Sequence, residues 1–204
     1  MSVKTPLVSA ILLAAGKSER MGRNKLLMPF EGGTVIARTL DNLATSKAGE
    51  VMVVLGSHAR EIGDALGKRP VTFVLNPDYA RGMSTSLITG LRMISKRAKF
   101  ALVALGDQPF VAPKTYDRLI EVALCTDKGL VVPVYQKQRG NPILIHAGYF
   151  PEMMGFTGDV GGRELFKLYP DDVLEVKVQD EGVLINLNTT KEYERHIGPA
   201  PRSG

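Results

Sequence analysis

Residue types suited to phosphate and to a hard cation recur at separate places in the chain. Leu13-Ala14-Ala15-Gly16 is followed by Arg20 and Lys25. Alanine and glycine leave the main chain open, so a flat or anionic ligand can approach its N–H groups. Arginine adds a forked donor set and lysine a compact charge, and both suit phosphate oxygens. Gly106-Asp107-Gln108-Pro109 places a carboxylate after an apolar run. At the C-terminal end of a parallel strand such a carboxylate faces the ligand crevice, and its oxygens suit a Mg²⁺ that also holds phosphates. Asn76, Gly82 and Ser86 lie where a strand passes through a loop into a helix. That geometry takes an anion or a base. Taken singly, each stretch has a plainer reading. The cations can be solvated, Asp107 can be a turn residue between Gly and Pro, and residues 76–87 can be an ordinary connection.

Together these parts suit phosphoryl or nucleotidyl transfer, which needs positioning and charge stabilisation more than covalent chemistry. A phosphate monoester is already an anion at neutral pH. It attacks without a general base, which agrees with a chain that has only 3 histidines. His58, His146 and His196 are scattered, so no zinc site is expected. Cys125 is the single cysteine, which leaves no disulfide framework, and its helical apolar neighbours predict a small buried core residue. The motifs G-x-S-x-G, H-E-x-x-H, G-x-x-x-x-G-K-[ST] and G-x-G-x-x-G do not occur.

The elements that must position these residues follow from the apolar pattern. Residues 8–13 read as a short continuous strand buried on both faces. Thr34 can cap a helix carrying Val35, Ile36, Leu40 and Leu43 at helical spacing. Residues 51–55 and 71–75 read as strands flanking a short helix at 59–66. Ser84 is expected to cap a helix reaching about residue 96. Residues 100–104 form a further buried strand, and Pro113 starts a helix through about residue 125. Residues 130–135 read as a strand in which Pro133 predicts an edge or a bulge. A strand begins within 139–145, a short helix covers 164–168, and strands are expected at 173–178 and 183–185. Thr189 or Thr190 caps a last helix over 191–197. Strands alternating with helices at short spacing predict one α/β domain over residues 1–197. Its sheet is Rossmann-like, doubly wound and mostly parallel, with a late antiparallel strand. Residues 198–204 are expected to be a disordered tail.

Bulk properties narrow the classes. A chain of 204 residues that is 44% hydrophobic can bury a sizeable core. No apolar run is long enough to span a bilayer, and residues 7–16 are needed for the first loop rather than for a signal peptide, so a cytoplasmic location without membrane contact is expected. The net charge of +5 favours anionic partners, while only 6% aromatic residues and no interleaved basic cluster argue against nucleic acid.

The string over residues 12–29 resembles the signature loop of the MobA-like nucleotidyltransferases, L-A-x-G-x-S-x-R-M-G-x-x-K-L-L, matched at every specified letter from Leu13 to Leu27. Gly106-Asp107-Gln108-Pro109, Arg139-Gly140-Asn141-Pro142 and Gly158-Asp159-Val160-Gly161-Gly162-Arg163 resemble later motifs of the family, in its molybdopterin cytidylyltransferase branch. The resemblance covers residues 8 to about 193. It implies the fold of nucleotide-diphospho-sugar transferases and transfer of CMP from CTP to the terminal phosphate of molybdenum-molybdopterin, with release of pyrophosphate. It further implies that Leu13, Ala14, Ala15 and Gly16 contact base and sugar, with Asn76, Gly82 and Ser86 helping to read the base. Arg20 and Lys25 would hold the phosphates, and Asp107 would bind Mg²⁺ or Mn²⁺. Arg139, Asn141, Asp159 and Arg163 become candidates for the molybdopterin-type acceptor. A molybdenum hydroxylase or its accessory protein is the implied recipient. Guanylyl members tend to read L-A-G-G, so Ala15 favours CTP. Two departures stand out: Asn141 where many members have His, and Asn186-Leu187-Asn188-Thr189 where many have D-I-D-T. Asn188 can still share the metal through its amide oxygen. Transfer to another phosphorylated acceptor, or non-catalytic cofactor binding, stays open at this point.

Overall fold

The computed structural model describes residues 7–16 and 24–199, so Arg20 and residues 200–204 lie outside it. In chain order the strands are β1 (Val8–Ala14), β2 (Pro29–Phe30), β3 (Gly33–Thr34), β4 (Glu50–Leu55), β5 (Thr72–Leu75), β6 (Phe100–Leu105), β7 (Leu130–Tyr135), β8 (Gln138–Arg139), β9 (Ile143–His146) and β10 (Val173–Lys177). The helices are α1 (Val35–Ala44), α2 (Ala59–Leu66), α3 (Met83–Met93), α4 (Pro113–Leu124), α5 (Phe150–Met153), α6 (Glu164–Leu168) and α7 (Thr190–His196).

Eight strands make one mixed sheet in the order β10-β7-β9-β6-β1-β4-β5, with β8 added to β7, and β2 pairs only with β3. Strands β6, β1, β4 and β5 are parallel, and β9 runs antiparallel to both β6 and β7. The expected late antiparallel strand is β9. Side chains alternate across the pleat. Ala10, Leu12 and Ala14 of β1 join a core with α1, α2 and α4, whereas Ile11 joins one with α3, α5 and α6. Both faces are covered, which is why the strands read as unbroken apolar runs. A satellite core of Met28, Phe30, Val35, Leu187 and Tyr193 seats α7 on the β2–β3 pair.

From β1 the chain steps outward to β4 and β5, then returns past β1 to β6. The strand order therefore reverses between β1 and β6, where an open α/β sheet forms its ligand crevice at the carboxyl ends. Polar residues fix that rim. Thr39 of α1 is fully buried, and its hydroxyl donates to Val35 O at 2.9 Å and lies 3.0 Å from Gly106 O. Asn42 donates to Pro109 O and Val111 O, both at 3.0 Å. Helix α1 thus holds the loop after β6.

Several local expectations are corrected. Residues 183–185 form no strand; Glu181–Leu184 is a 3₁₀ turn capped by Asp180. Its main chain is satisfied singly, because Val183 O accepts from Asn141 N and from the Gln108 side chain rather than from a neighbouring strand. Ser84 does not cap α3. Gly82 holds that position, and Ser84 N and Oγ donate to Gly158 O at 3.2 and 2.8 Å. Cys125 is exposed as the C-cap of α4, because its position continues the outward face of Arg118 and Glu121 rather than the inward face of Leu119 and Ala123. Strand β7 is interior, so Pro133 marks no sheet edge. The proline falls where the antiparallel ladder passes from β9, paired at Leu130 and Val131, to β8, paired at Val134 and Tyr135. Its carbonyl accepts from Gly140 N at 2.8 Å, and its missing N–H faces the same break. Among the described residues, no helix is long and apolar enough to cross a membrane.

Asp180 ties the C-terminal segment of the chain to the start of α4. Its carboxylate accepts from Ala112 N at 3.0 Å and Thr115 Oγ1 at 2.5 Å, at the start of α4, and from Gly182 N at 3.0 Å. Asp180→Ala leaves those donors unserved and is expected to lower the unfolding free energy by about 1–3 kcal/mol in urea titration.

Candidate active site

At the carboxyl ends of β1 and β6 lies a cleft of about 660 Å³, within the range of small-molecule and cofactor sites. Leu13 to Gly16 form its floor, Leu105 to Asp107 one side, and Tyr79, Gly82, Met83 and Ser86 the other. The floor is narrow because small residues meet there. Leu13 O accepts from Gly106 N at 2.9 Å, and a Cβ placed on Gly106 would stand 2.8 Å from Ile36 Cδ1. Ala15 is only 4% exposed, with its carbonyl accepting from Ser57 N.

Lys25, Asp107 and Asn188 meet at one edge of this cleft. Lys25 Nζ donates to Asp107 Oδ2 at 2.5 Å and to Asn188 Oδ1 at 2.8 Å. Lys25 sits at the start of a 3₁₀ turn, Lys25–Leu27, capped by the Asn24 side chain, which accepts from Leu26 N. Asp107 follows β6, and its main-chain oxygen accepts from Leu187 N at 3.0 Å. Asn188 precedes α7. Thr189 is the N-cap and accepts from Glu192 N, while the Glu192 carboxylate accepts from Asn188 N at 2.9 Å. This is a variant of the Thr-x-x-Glu capping box. Beside it Gln108 is 2% exposed and donates to Asn186 Oδ1 at 2.5 Å, which holds the 183–188 segment against the loop.

The residues expected at the site divide. Leu13, Ala14, Ala15, Gly16, Lys25, Gly82, Ser86, Asp107, Asp159 and Asn188 line the one cleft. Asn76 does not: it is 1% exposed, donates to Thr85 Oγ1 and Ser86 Oγ at 2.9 and 3.0 Å, and accepts from Asp78 N. It braces Ser86 from behind. Arg139, on β8, is paired with Glu175 of β10 at 2.7 Å and lies over the Phe166 ring, and it is not part of the cleft wall. Asn141 is held through its N–H to Val183 O and precedes a cis proline, and it is not part of the cleft wall. Arg163 occupies the N-cap position of α6, outside the wall, and desolvation lowers its pKa from the usual arginine value. It remains a cation at neutral pH. Arg20 lies outside the described residues. Tyr79 and Ala80 also line the cleft and carried no chemical signal in the sequence. Gln108 and Asn186 did stand in recognised motifs, and the Thr-x-x-Glu spacing is the signal that fixes where Asn188 must sit.

The donor set fits a divalent cation. Two hard oxygens, from Asp107 and Asn188, already converge on a positive charge, the ammonium of Lys25. No cluster of three or more His, Cys, Asp or Glu able to hold a metal occurs among the described residues. A cation here would therefore complete its shell with water and substrate phosphate, as Mg²⁺ commonly does.

A mostly parallel sheet with a small-residue floor at its switch point, one lysine and two carboxylates, defines a nucleotide-binding α/β protein. Residues 10–174 match the model of the MobA-like NTP transferase domain, and the chain belongs to that family of nucleotidyltransferases. It is 30% identical to purine catabolism protein PucB of Bacillus subtilis (strain 168), covering 94% of this chain and 97% of that one. Identity is 29% with nicotine blue oxidoreductase of Paenarthrobacter nicotinovorans, covering 93% and 96%. It is 23% with the molybdenum cofactor cytidylyltransferase of Escherichia coli (strain K12), covering 91% and 93%. Among solved structures, Rv0371c from Mycobacterium tuberculosis H37Rv superposes with a TM-score of 0.83 at 29% identity, over 94% of this chain and 97% of that one. Its complex with manganese superposes at 0.76 with 25% identity, covering 94% and 98%. A nucleotidyl transferase from Methanothermobacter thermautotroptrophicus gives 0.80 at 27% identity, covering 93% and 95%.

Gly82 shows how tightly the cleft's outer wall is built. Its φ is +111°, and a Cβ there would fall 2.3 Å from the carbonyl carbon and oxygen of Gly158. Gly82→Ala is expected to push the 156–163 loop off α3, lowering stability by about 1–3 kcal/mol in thermal unfolding and raising limited proteolysis within that loop.

Proposed function

We propose that the chain transfers CMP from CTP to the terminal phosphate of a molybdopterin-type acceptor. An acceptor phosphate oxygen attacks the α-phosphorus of CTP, a new P–O bond forms, the α–β P–O bond breaks, and pyrophosphate leaves. The observation that carries this reading is the convergence of Lys25, Asp107 and Asn188 beside the Leu13–Gly16 floor. The floor offers main-chain groups to base and sugar. Lys25, together with Arg20, supplies charge to the phosphates and to the departing pyrophosphate. Asp107 and Asn188 would hold Mg²⁺ or Mn²⁺, which when bound neutralises phosphate charge, and the manganese complex of a solved relative supports a divalent ion. Asn76 acts through Ser86, fixing its hydroxyl at the cleft wall. Asp159 stands across the cleft on the 156–163 loop and marks the acceptor side, with Arg163 following it in the same motif. Arg139, paired with Glu175, and Asn141, held to Val183 O, stand outside the cleft wall. Ala15 in the Leu-Ala-Ala-Gly floor and the cytidylyltransferase relative support CTP over GTP. The reaction belongs in the cytoplasm, where CTP is available.

A second reading is favoured by the amides at Asn186 and Asn188, which leave Asp107 as the carboxylate at the metal position. In that reading the cleft binds a nucleotide or cofactor tightly without transfer and serves a molybdenum hydroxylase.

Pyrophosphate release, assayed with purified protein, Mg²⁺ and molybdenum-loaded molybdopterin, separates these. Release is expected with CTP and not with GTP, and Asp107→Asn is expected to cut kcat about 10²–10³-fold. Release with GTP alone overturns the base assignment. Nucleotide binding with no release under any pairing replaces the transferase reading with the second one.

A further inference from the structure

We propose that the Lys25 ammonium occupies the divalent cation's own position, so that Lys25 and the metal exclude one another at Asp107. This inference rests on the metal-dependent reading above. Three features of the site carry it.

First, the oxygens suited to the cation are the ones Lys25 already holds, Asp107 Oδ2 at 2.5 Å and Asn188 Oδ1 at 2.8 Å. Second, the main chain that carries those oxygens is braced on both sides, while the lysine reaches them from a third segment. Asp107 is anchored by Leu187 N, and the Asn188 main chain by the Glu192 carboxylate. Lys25 reaches in on a flexible four-carbon stem, and its side chain is 20% exposed against 9% for Asp107. Third, the charges balance one to one. Asn188 is neutral, so a single carboxylate faces a single ammonium. A divalent ion arriving beside a resident Lys25 would set three positive charges against one negative charge at contact distance, in a partly buried site where screening is weak.

Lys25 must therefore withdraw when the cation enters. A nucleotide's β- and γ-phosphates offer the ammonium a new partner. The cation alone binds weakly, and cation and triphosphate each favour the other's binding because both draw Lys25 off Asp107. Such coupling is reciprocal in free energy. In this site Lys25 is first a placeholder that keeps Asp107 neutralised and in position, and then a phosphate ligand.

The test is Mn²⁺ titration followed by electron paramagnetic resonance, with no nucleotide present. Lys25→Met is expected to bind Mn²⁺ about 10-fold tighter than wild type, within the usual range of such couplings, and to show a smaller gain in Mn²⁺ affinity when CTP is added. Lys25→Met combined with Asp107→Asn should lose the tight site. A folded Lys25→Met that binds Mn²⁺ no tighter than wild type overturns the inference. Should that variant fail to fold, acetylation of Lys25 in the wild-type protein decides. Its rate, read by mass spectrometry, should rise with added Mn²⁺, and an unchanged rate overturns the exclusion. Neither readout needs turnover. Tighter Mn²⁺ binding by Lys25→Met, with no pyrophosphate release by the wild-type protein, upholds the exclusion and counts against the transfer reading. Release without tighter binding overturns the exclusion and leaves that reading standing.

Discussion

The ammonium of Lys25 joins parts of the chain that are 82 and 163 residues apart, Asp107 after the central strand and Asn188 before the last helix. A charge pair this close, with both side chains mostly out of water, is costly to leave without a partner. Each side is accordingly braced by neutral hydrogen bonds of ordinary kind. Thr39 and Asn42 steady the loop that carries Asp107, and Gln108 clasps Asn186. The site is thus built on the sheet's carboxyl edge and closed by a segment from the far end of the chain.

That segment, from Asp180 through α7, has little core of its own. It is held by polar contacts to α4 and to the β6 loop, and by the satellite cluster around Leu187 and Tyr193. Its job is positional. Without it the cleft would keep its floor and its carboxylate and would lose the amide oxygen of Asn188.

The opposite wall is made differently. Gly82, Gly158 and Ser84 bring the start of α3 and the 156–163 loop into contact, which puts Asp159 on the cleft wall beside Met83. Relatives of this chain bear names as unlike as a cytidylyltransferase and an oxidoreductase. A shared frame with variable walls is what such a spread requires, since activity is set by the site rather than by the fold.

Apolar periodicity and caps are local properties, so the sequence by itself determined the parallel strands β1, β4, β5 and β6, the helices between them, and the loop with Ala15, Gly16 and Lys25. It also set Asp107 just past a buried strand, and the structure has that carboxylate on the cleft wall. Contacts between distant segments have no such local signature. Only the tertiary structure decided that Asn76 stands behind Ser86 rather than in the cleft, and that Arg139 is paired to Glu175. Residues 183–185 show the limit most directly. Their apolar side chains read as a strand, yet a strand needs a neighbour to satisfy its ladder. Asp180, Asn141 and Gln108 took those main-chain groups instead, and the segment became the turn that delivers Asn188.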